Sequence, residues 1–208
     1  MKKFLVVFLL IVSMLMASVS FAAVPFSDVN KNHWAYDYID KMQARSVING
    51  YPDGTFKPDD KVKTCEYIKM ASMITWPKFN YKAPTDGTHW AMPYVRSLPY
   101  CEMKYGVYYD YERLEKELTR GEAAILLGNG FKYYRENKKN PILIEEGDEK
   151  YLEKYTDIDS NTYYKLRDAL VICTKYDLIN GFEDNTFRPE ESLTRAQVAK
   201  LMYGLINK

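Results

Sequence analysis

Residues 49–66 read NGYPDGTFKPDDKVKTCE and residues 180–197 read NGFEDNTFRPEESLTRAQ, and the two strings align without a gap at an interval of about 130 residues. A chain that repeats itself at this scale is constrained to build one supersecondary unit several times and to bury the apolar face of each copy against its neighbours. The register extends upstream. Phe26-Ser27-Asp28-Val29 matches Tyr155-Thr156-Asp157-Ile158, and each Asp is followed at the same distance by an aromatic, Trp34 or Tyr163. A third, worn copy lies between the two: His89-Trp90-Ala91 repeats His33-Trp34-Ala35, and Arg120 follows Trp90 at the spacing that separates Trp34 from Thr64.

Within each copy the apolar spacing is helical. Trp34, Tyr38, Ile39, Met42 and Val47 recur at three- and four-residue intervals and predict a helix over 33–46. Asn49-Gly50 is read as its stop, with Gly50 taking the left-handed conformation. Tyr51-Pro52-Asp53-Gly54 is a turn, Phe56 is the core anchor after it, and a second helix is predicted over 64–75. The last copy repeats this over 163–175, through Asn180-Gly181 and Phe187, to 195–205. The middle copy predicts helices over 91–104 and 120–133 but has lost the Gly-aromatic turn, for which a Tyr- and Glu-rich stretch, 105–116, is substituted. About half of residues 132–154 are charged, which reads as a solvated insertion. Its first part can prolong the preceding helix as far as Asn137, and Asn140-Pro141 must end it.

Two of the second helices open on capping boxes, Thr119-Arg120-Gly121-Glu122 and Thr194-Arg195-Ala196-Gln197. The arginines are harder to explain. A cation in the first turn lies at the positive end of the helix dipole and costs a few tenths of a kcal/mol, so an anion held between the guanidinium and the free N–H groups is one reading. An ion pair across a repeat interface is the other. The first copy departs from the pattern, with Lys63 at the Thr position and Thr64 at the Arg position.

The string F-x-D-V, W-A, N-G-Y-x-D-G-T-F-x-P and L-T-R-A-E, with its variants here, resembles the S-layer homology (SLH) family over 26–207, strongly in the first and last copies and weakly in the middle one. The resemblance implies a mainly α fold of three helix-loop-helix repeats in a pseudo-threefold arrangement. The segments are then a leader, 1–22; repeat one, 23–79; a degenerate repeat two, 80–131; the charged insertion, 132–154; and repeat three, 155–208. It implies a noncatalytic module that grips an anionic, often pyruvylated, secondary wall polysaccharide. The carried-over polysaccharide-binding residues are Arg120 and Arg195, as bidentate forks for a ketal carboxylate; Trp34, Trp90 and Tyr163, as stacking faces or staples to the core; Asp28 and Asp157, as caps or turn formers with sugar contact the minority reading; and Gly50 and Gly181 in the loops.

Met1-Lys2-Lys3, an uncharged run over 4–16 and Ser20-Phe21-Ala22 read as a secretory signal cleaved after Ala22, with an uncleaved anchor as the alternative. The expected location is the cell wall or surface of a bacterium, with no membrane span after cleavage. Loss of Lys2 and Lys3 moves the formal charge from +1 to −1, which argues against a nucleic-acid partner. Cys65, Cys101 and Cys173 sit at helical positions and read as buried free thiols rather than a disulfide framework, with a Cys65–Cys101 bridge left open. No cofactor is implied. His33 and His89 lack a third ligand at a fixed offset, and Asp53, Asp59 and Asp60 lack calcium-loop spacing, so no metal site is expected. No element marks a carboxylate pair for glycoside hydrolysis. The alternative to wall binding is a structural or protein-interaction module of the envelope, its partner another cell-surface protein, for which the altered first motif, the missing loop and the 19 tyrosines speak.

Overall fold

The computed structural model describes residues 26–75, 81–82, 84–85, 87–98 and 111–207. Seven α-helices occur among them: α1 (Tyr36–Ala44), α2 (Thr64–Thr75), α3 (Met92–Ser97), α4 (Tyr111–Leu114), α5 (Arg120–Asn137), α6 (Tyr164–Lys175) and α7 (Arg195–Ile206). The leader, the 99–104 end of the helix predicted over 91–104 with its Cys101, and the 105–110 part of the substituted loop lie outside the described residues. Cys65 and Cys173 are free and buried. No described helix is long and apolar enough to cross a membrane.

Three equivalent segments meet at a common axis. Val62 N–H donates to Leu193 O (3.0 Å), Leu193 N–H to Leu118 O (2.9 Å) and Leu118 N–H to Val62 O (2.8 Å), a closed ring of backbone bonds. All three side chains are buried. Two residues further on, a second ring runs in the opposite sense: Thr64 N–H to Lys116 O, Arg120 N–H to Glu191 O and Arg195 N–H to Asp60 O. These bonds satisfy the orphan donors at the starts of α2, α5 and α7, which lie too deep for water to do so.

The helices pair between repeats rather than within them. α1 packs on α7, α3 on α2 and α6 on α5, so each repeat's first helix lies on the second helix of the repeat before it, and the first repeat closes the ring on the last. A helix-loop-helix unit is therefore not self-contained. The α5–α6 crossing is close enough that a Cβ on Gly128 would lie 3.0 Å from Ala169 O.

The first helices begin later than their apolar spacing predicts, and they are not capped by Asp28 or Asp157. Before α1 and α3 a histidine instead closes a short turn, accepting through Nδ1 from the N–H of the N-cap residue, Ala35 (3.1 Å, His33) or Ala91 (3.1 Å, His89). Gly50 and Gly181 are likewise not the stops. α1 ends in a Schellman motif whose left-handed residue is Ser46 (φ 56°), with Val47 N–H on Met42 O. α6 ends the same way at Asp177 (φ 51°), with Leu178 N–H on Cys173 O.

α5 runs to Asn137 and stops in a third such motif, at Lys139 (φ 56°), just before Pro141. The insertion beyond it is not simply solvated. Ile142 and Leu152 are buried, and a 3-10 turn (Asp148–Tyr151) packs on α6. There Asp148, buried, accepts from Glu145 N–H (3.0 Å) first and from Lys175 Nζ (2.9 Å) second, which holds its pKa below the usual carboxylate value.

Candidate functional site: two grooves shared between repeats

The Gly-aromatic loops of repeats one and three are superposable in their bonding. Asp28 Oδ1 and Oδ2 accept from the N–H groups of Phe56 (2.8 Å) and Lys57 (2.7 Å), and Asp157 accepts from Phe187 and Arg188 (both 2.7 Å). Each carboxylate thus clasps its own repeat's loop, which corrects its reading as a helix cap. Lys57 and Arg188 need the clasp because both are in the left-handed region (φ 57° and 56°). Phe56 and Phe187 are fully buried, as predicted of an anchor. Gly50 and Gly181 are demanded by close approach: a Cβ would meet Phe26 Cε1 at 2.3 Å in one loop, and Tyr155 Cε1 at 2.6 Å in the other.

The arginines bind the loops of the next repeat. Arg195 Nε donates to Phe56 O (2.7 Å) and its NH2 group to Asn49 O (3.0 Å); Arg120 Nε donates to Phe187 O (2.8 Å) and its NH2 group to Asn180 O (2.9 Å). Both are buried, at 5% and 6% exposure, and each guanidinium lies over the loop's aromatic rings. Burial draws the Arg120 pKa down, yet an arginine stays charged. The dipole penalty that suggested a bound anion is met instead by carbonyl oxygens of the protein. Neither arginine is a free surface fork, and neither can be removed without unpinning a loop.

With the loops so held, two equivalent grooves form, each built from three repeats. The larger, about 480 Å³, is lined by Asn180-Gly181-Phe182 of repeat three, Arg120 of repeat two, Gln197, Lys200 and Leu201 of α7, and Trp34 of repeat one. The smaller, about 180 Å³, is lined by Asn49-Gly50-Tyr51, Arg195, Glu66, Lys69 and Met70 of α2, and Trp90. Trp34 (54% exposed) and Trp90 (43%) are open to solvent, so they are not staples to the core. Lys69 and Lys200 stand at the same helical place, one in each groove. Sequence reading passed them over because each looked like one more surface lysine, although their shared offset from Thr64 and Arg195 was visible. Tyr163, also exposed at 53%, lines neither groove. At that third position Thr64 replaces the arginine and Ile125 the lysine.

A second cluster was not legible from offsets. The Cys65 thiol, His89 Nε2 and the Glu115 carboxylate lie within 4.8 Å of one another. His89 Nε2 is 2.7 Å from Glu115 Oε1, and Lys63 Nζ is 2.6 Å from Glu115 Oε2. Lys63 first and His89 second hold the Glu115 pKa down to about 2, while burial pushes the Cys65 thiol up to about 12.

A family model for the S-layer homology domain matches residues 25–63 and 154–199. Over 194 residues the chain is 27% identical to an endoglucanase of Bacillus sp. (strain KSM-635), covering 89% of this chain and 19% of the relative. It is 49% identical over 66 residues to outer membrane protein alpha of Thermotoga maritima, covering 32% of this chain and 16% of that one. To the cellulosome-anchoring protein of Acetivibrio thermocellus it is 27% identical over 85 residues, 37% of this chain and 19% of the relative. The chain thus spans less than a fifth of each of these proteins. The two clasped loops and the capping box at Thr194 fall within the two matched stretches, 25–63 and 154–199, which carry the S-layer homology domain pattern.

Proposed function

We propose that this chain is a noncatalytic bacterial cell-surface protein that anchors to the wall by holding an anionic secondary wall polysaccharide, pyruvylated at its recognised sugar, in the two grooves. The observation that carries this reading is the pairing, twice over, of an exposed indole with a lysine and an arginine across a concave surface rimmed by backbone. A sugar ring has apolar C–H faces that stack on an indole, and a ketal carboxylate needs a cation beside it. Lys200 and Lys69 supply the mobile charge. The arginines add positive potential from behind while they keep the loops in place. The names of the anchoring and outer-membrane relatives point the same way.

The test is retention on purified walls. Trp34→Ala and Trp90→Ala remove exposed rings and leave the fold intact; each is expected to weaken retention about tenfold, and the double variant to abolish it. Stripping the secondary polymer from the walls should have the same effect on the wild type. Equal retention of the wild type and the folded double variant would sink the proposal and favour an envelope interaction module with another surface protein as partner.

A further inference from the structure

We infer that the third inter-repeat position, which lacks the groove's arginine and lysine, is a binding site for a borderline divalent transition metal such as Zn²⁺, held by Cys65 Sγ, His89 Nε2 and a Glu115 carboxylate oxygen. The three come from two repeats. Cys65 is in the first turn of α2, His89 precedes α3, and Glu115 follows α4. Their ligand atoms lie within 4.8 Å of one another, with His89 Nε2 2.7 Å and Cys65 Sγ 3.8 Å from Glu115 Oε1, and shifts of about an ångström bring them to the roughly 3.3–3.8 Å that a tetrahedral ion with bonds of about 2.0–2.3 Å sets between its ligands. Sulfur, imidazole nitrogen and one carboxylate oxygen form the donor set of zinc and cobalt rather than of calcium or magnesium. Glu115 is 44% exposed on its side chain, which leaves a route of entry and room for a water as fourth ligand.

The proton and charge inventories close. His89 Nδ1 accepts from Ala91 N–H, so in the neutral ring Nε2 carries the hydrogen that faces Glu115. On binding, that hydrogen moves to Nδ1, Nε2 takes the metal, and one backbone hydrogen bond of about 1 kcal/mol is given up. Cys65 loses its proton to solvent. One thiolate and one carboxylate then neutralise the ion, and the half-exposed Lys63 ammonium swings from Glu115 into water. One proton is released per metal, so affinity should rise about tenfold per pH unit in the range where the thiol is otherwise protonated.

Co²⁺ titrated into the purified, reduced protein tests this. A thiolate-to-cobalt charge-transfer band and intense visible d–d bands should saturate at one equivalent, and Zn²⁺ should displace them. Cys65→Ser should abolish the charge-transfer band, and Cys173→Ser should keep it. Because Cys65 is buried, Glu115→Gln at the exposed edge gives a second reading and should weaken cobalt binding tenfold or more. Absence of the band in folded wild-type protein, its survival in Cys65→Ser, or unchanged affinity in Glu115→Gln would each overturn the site.

Discussion

Arg195→Ala is the perturbation that most directly separates a structural arginine from a ligand-gripping one. The guanidinium is 5% exposed and makes two charge-assisted bonds, to Phe56 O and Asn49 O, with Glu66 Oε1 at 3.5 Å and the Phe56 ring 4.6 Å from its centre. Hydrogen bonds to a charged group contribute roughly 1.5–3 kcal/mol each, and breaking a buried charged network costs about 3–5 kcal/mol because its partners are left unpaired. Truncation is therefore expected to cost about 3–5 kcal/mol. That is a large share of the roughly 5–15 kcal/mol by which a domain is stable. Removing the anion fork alone would have left folding nearly untouched, since the Thr194–Gln197 cap remains. Urea denaturation of the purified protein, read by tryptophan fluorescence and far-ultraviolet circular dichroism, measures the difference. Arg195→Lys keeps the charge but not the fork and should recover less than half of the loss. A cost below about 1 kcal/mol for Arg195→Ala would refute the pinning of one repeat's loop by the next repeat's arginine.

Further outcomes follow from the same contacts. Asp157→Ala strips the acceptors from two backbone N–H groups and should cost about 2–4 kcal/mol in the same urea assay, with Asp28→Ala similar. Gly181→Ala drives a methyl onto Thr186 O and Tyr155 Cε1, both 2.6 Å from its Cβ, and should cost about 1–3 kcal/mol, more than Gly204→Ala, where the Cβ meets nothing. Glu115 is held at about 2 in the fold against an ordinary 4.5, so its pairing stabilises above pH 4.5 and is lost as pH falls from there towards 2. Acid titration of the urea midpoint should show a shallower loss across that window for Glu115→Gln, the difference kept small by solvent screening at this exposed side chain. Equal slopes would show that the Lys63 and His89 contacts hold nothing in solution.

The helices and anchors were legible because their signals are local. α2 begins and ends where the period of Ile68, Ala71 and Ile74 places it, α5 reaches Asn137 before Pro141, and Phe56 and Phe187 are buried as their turns imply. What was not legible depends on which repeat faces which. His33 looked like a lone imidazole and closes the turn that leads into α1; Asp28 looked like the cap of that helix and is the clasp of a loop nearly thirty residues on. The anionic reading of Arg195 was sound as local electrostatics, but its partners, Asn49 O and Phe56 O, are carbonyls of the first repeat. No window of sequence contains both ends of that bond. The lysines needed the same three-dimensional context, since only the groove distinguishes Lys200 from any other exposed lysine of a helix.

The way repeat one departs from its siblings follows from the direction of the ring. Each arginine reaches forward, from repeat two to the loop of three and from three to the loop of one. The residue at the corresponding place in repeat one, Thr64, faces repeat two, the repeat whose Gly-aromatic loop is missing. An arginine there would be a buried cation without the two carbonyls that satisfy its siblings, and a buried unpaired charge costs several kcal/mol. Thr64 is small and neutral, and its hydroxyl and N–H both donate to Lys116 O. The loop of repeat two is thus missing together with the arginine that would reach it. Beside Thr64, Cys65 of repeat one meets His89 and Glu115 of repeat two, so that these side chains bridge the two repeats where guanidinium and loop do so elsewhere.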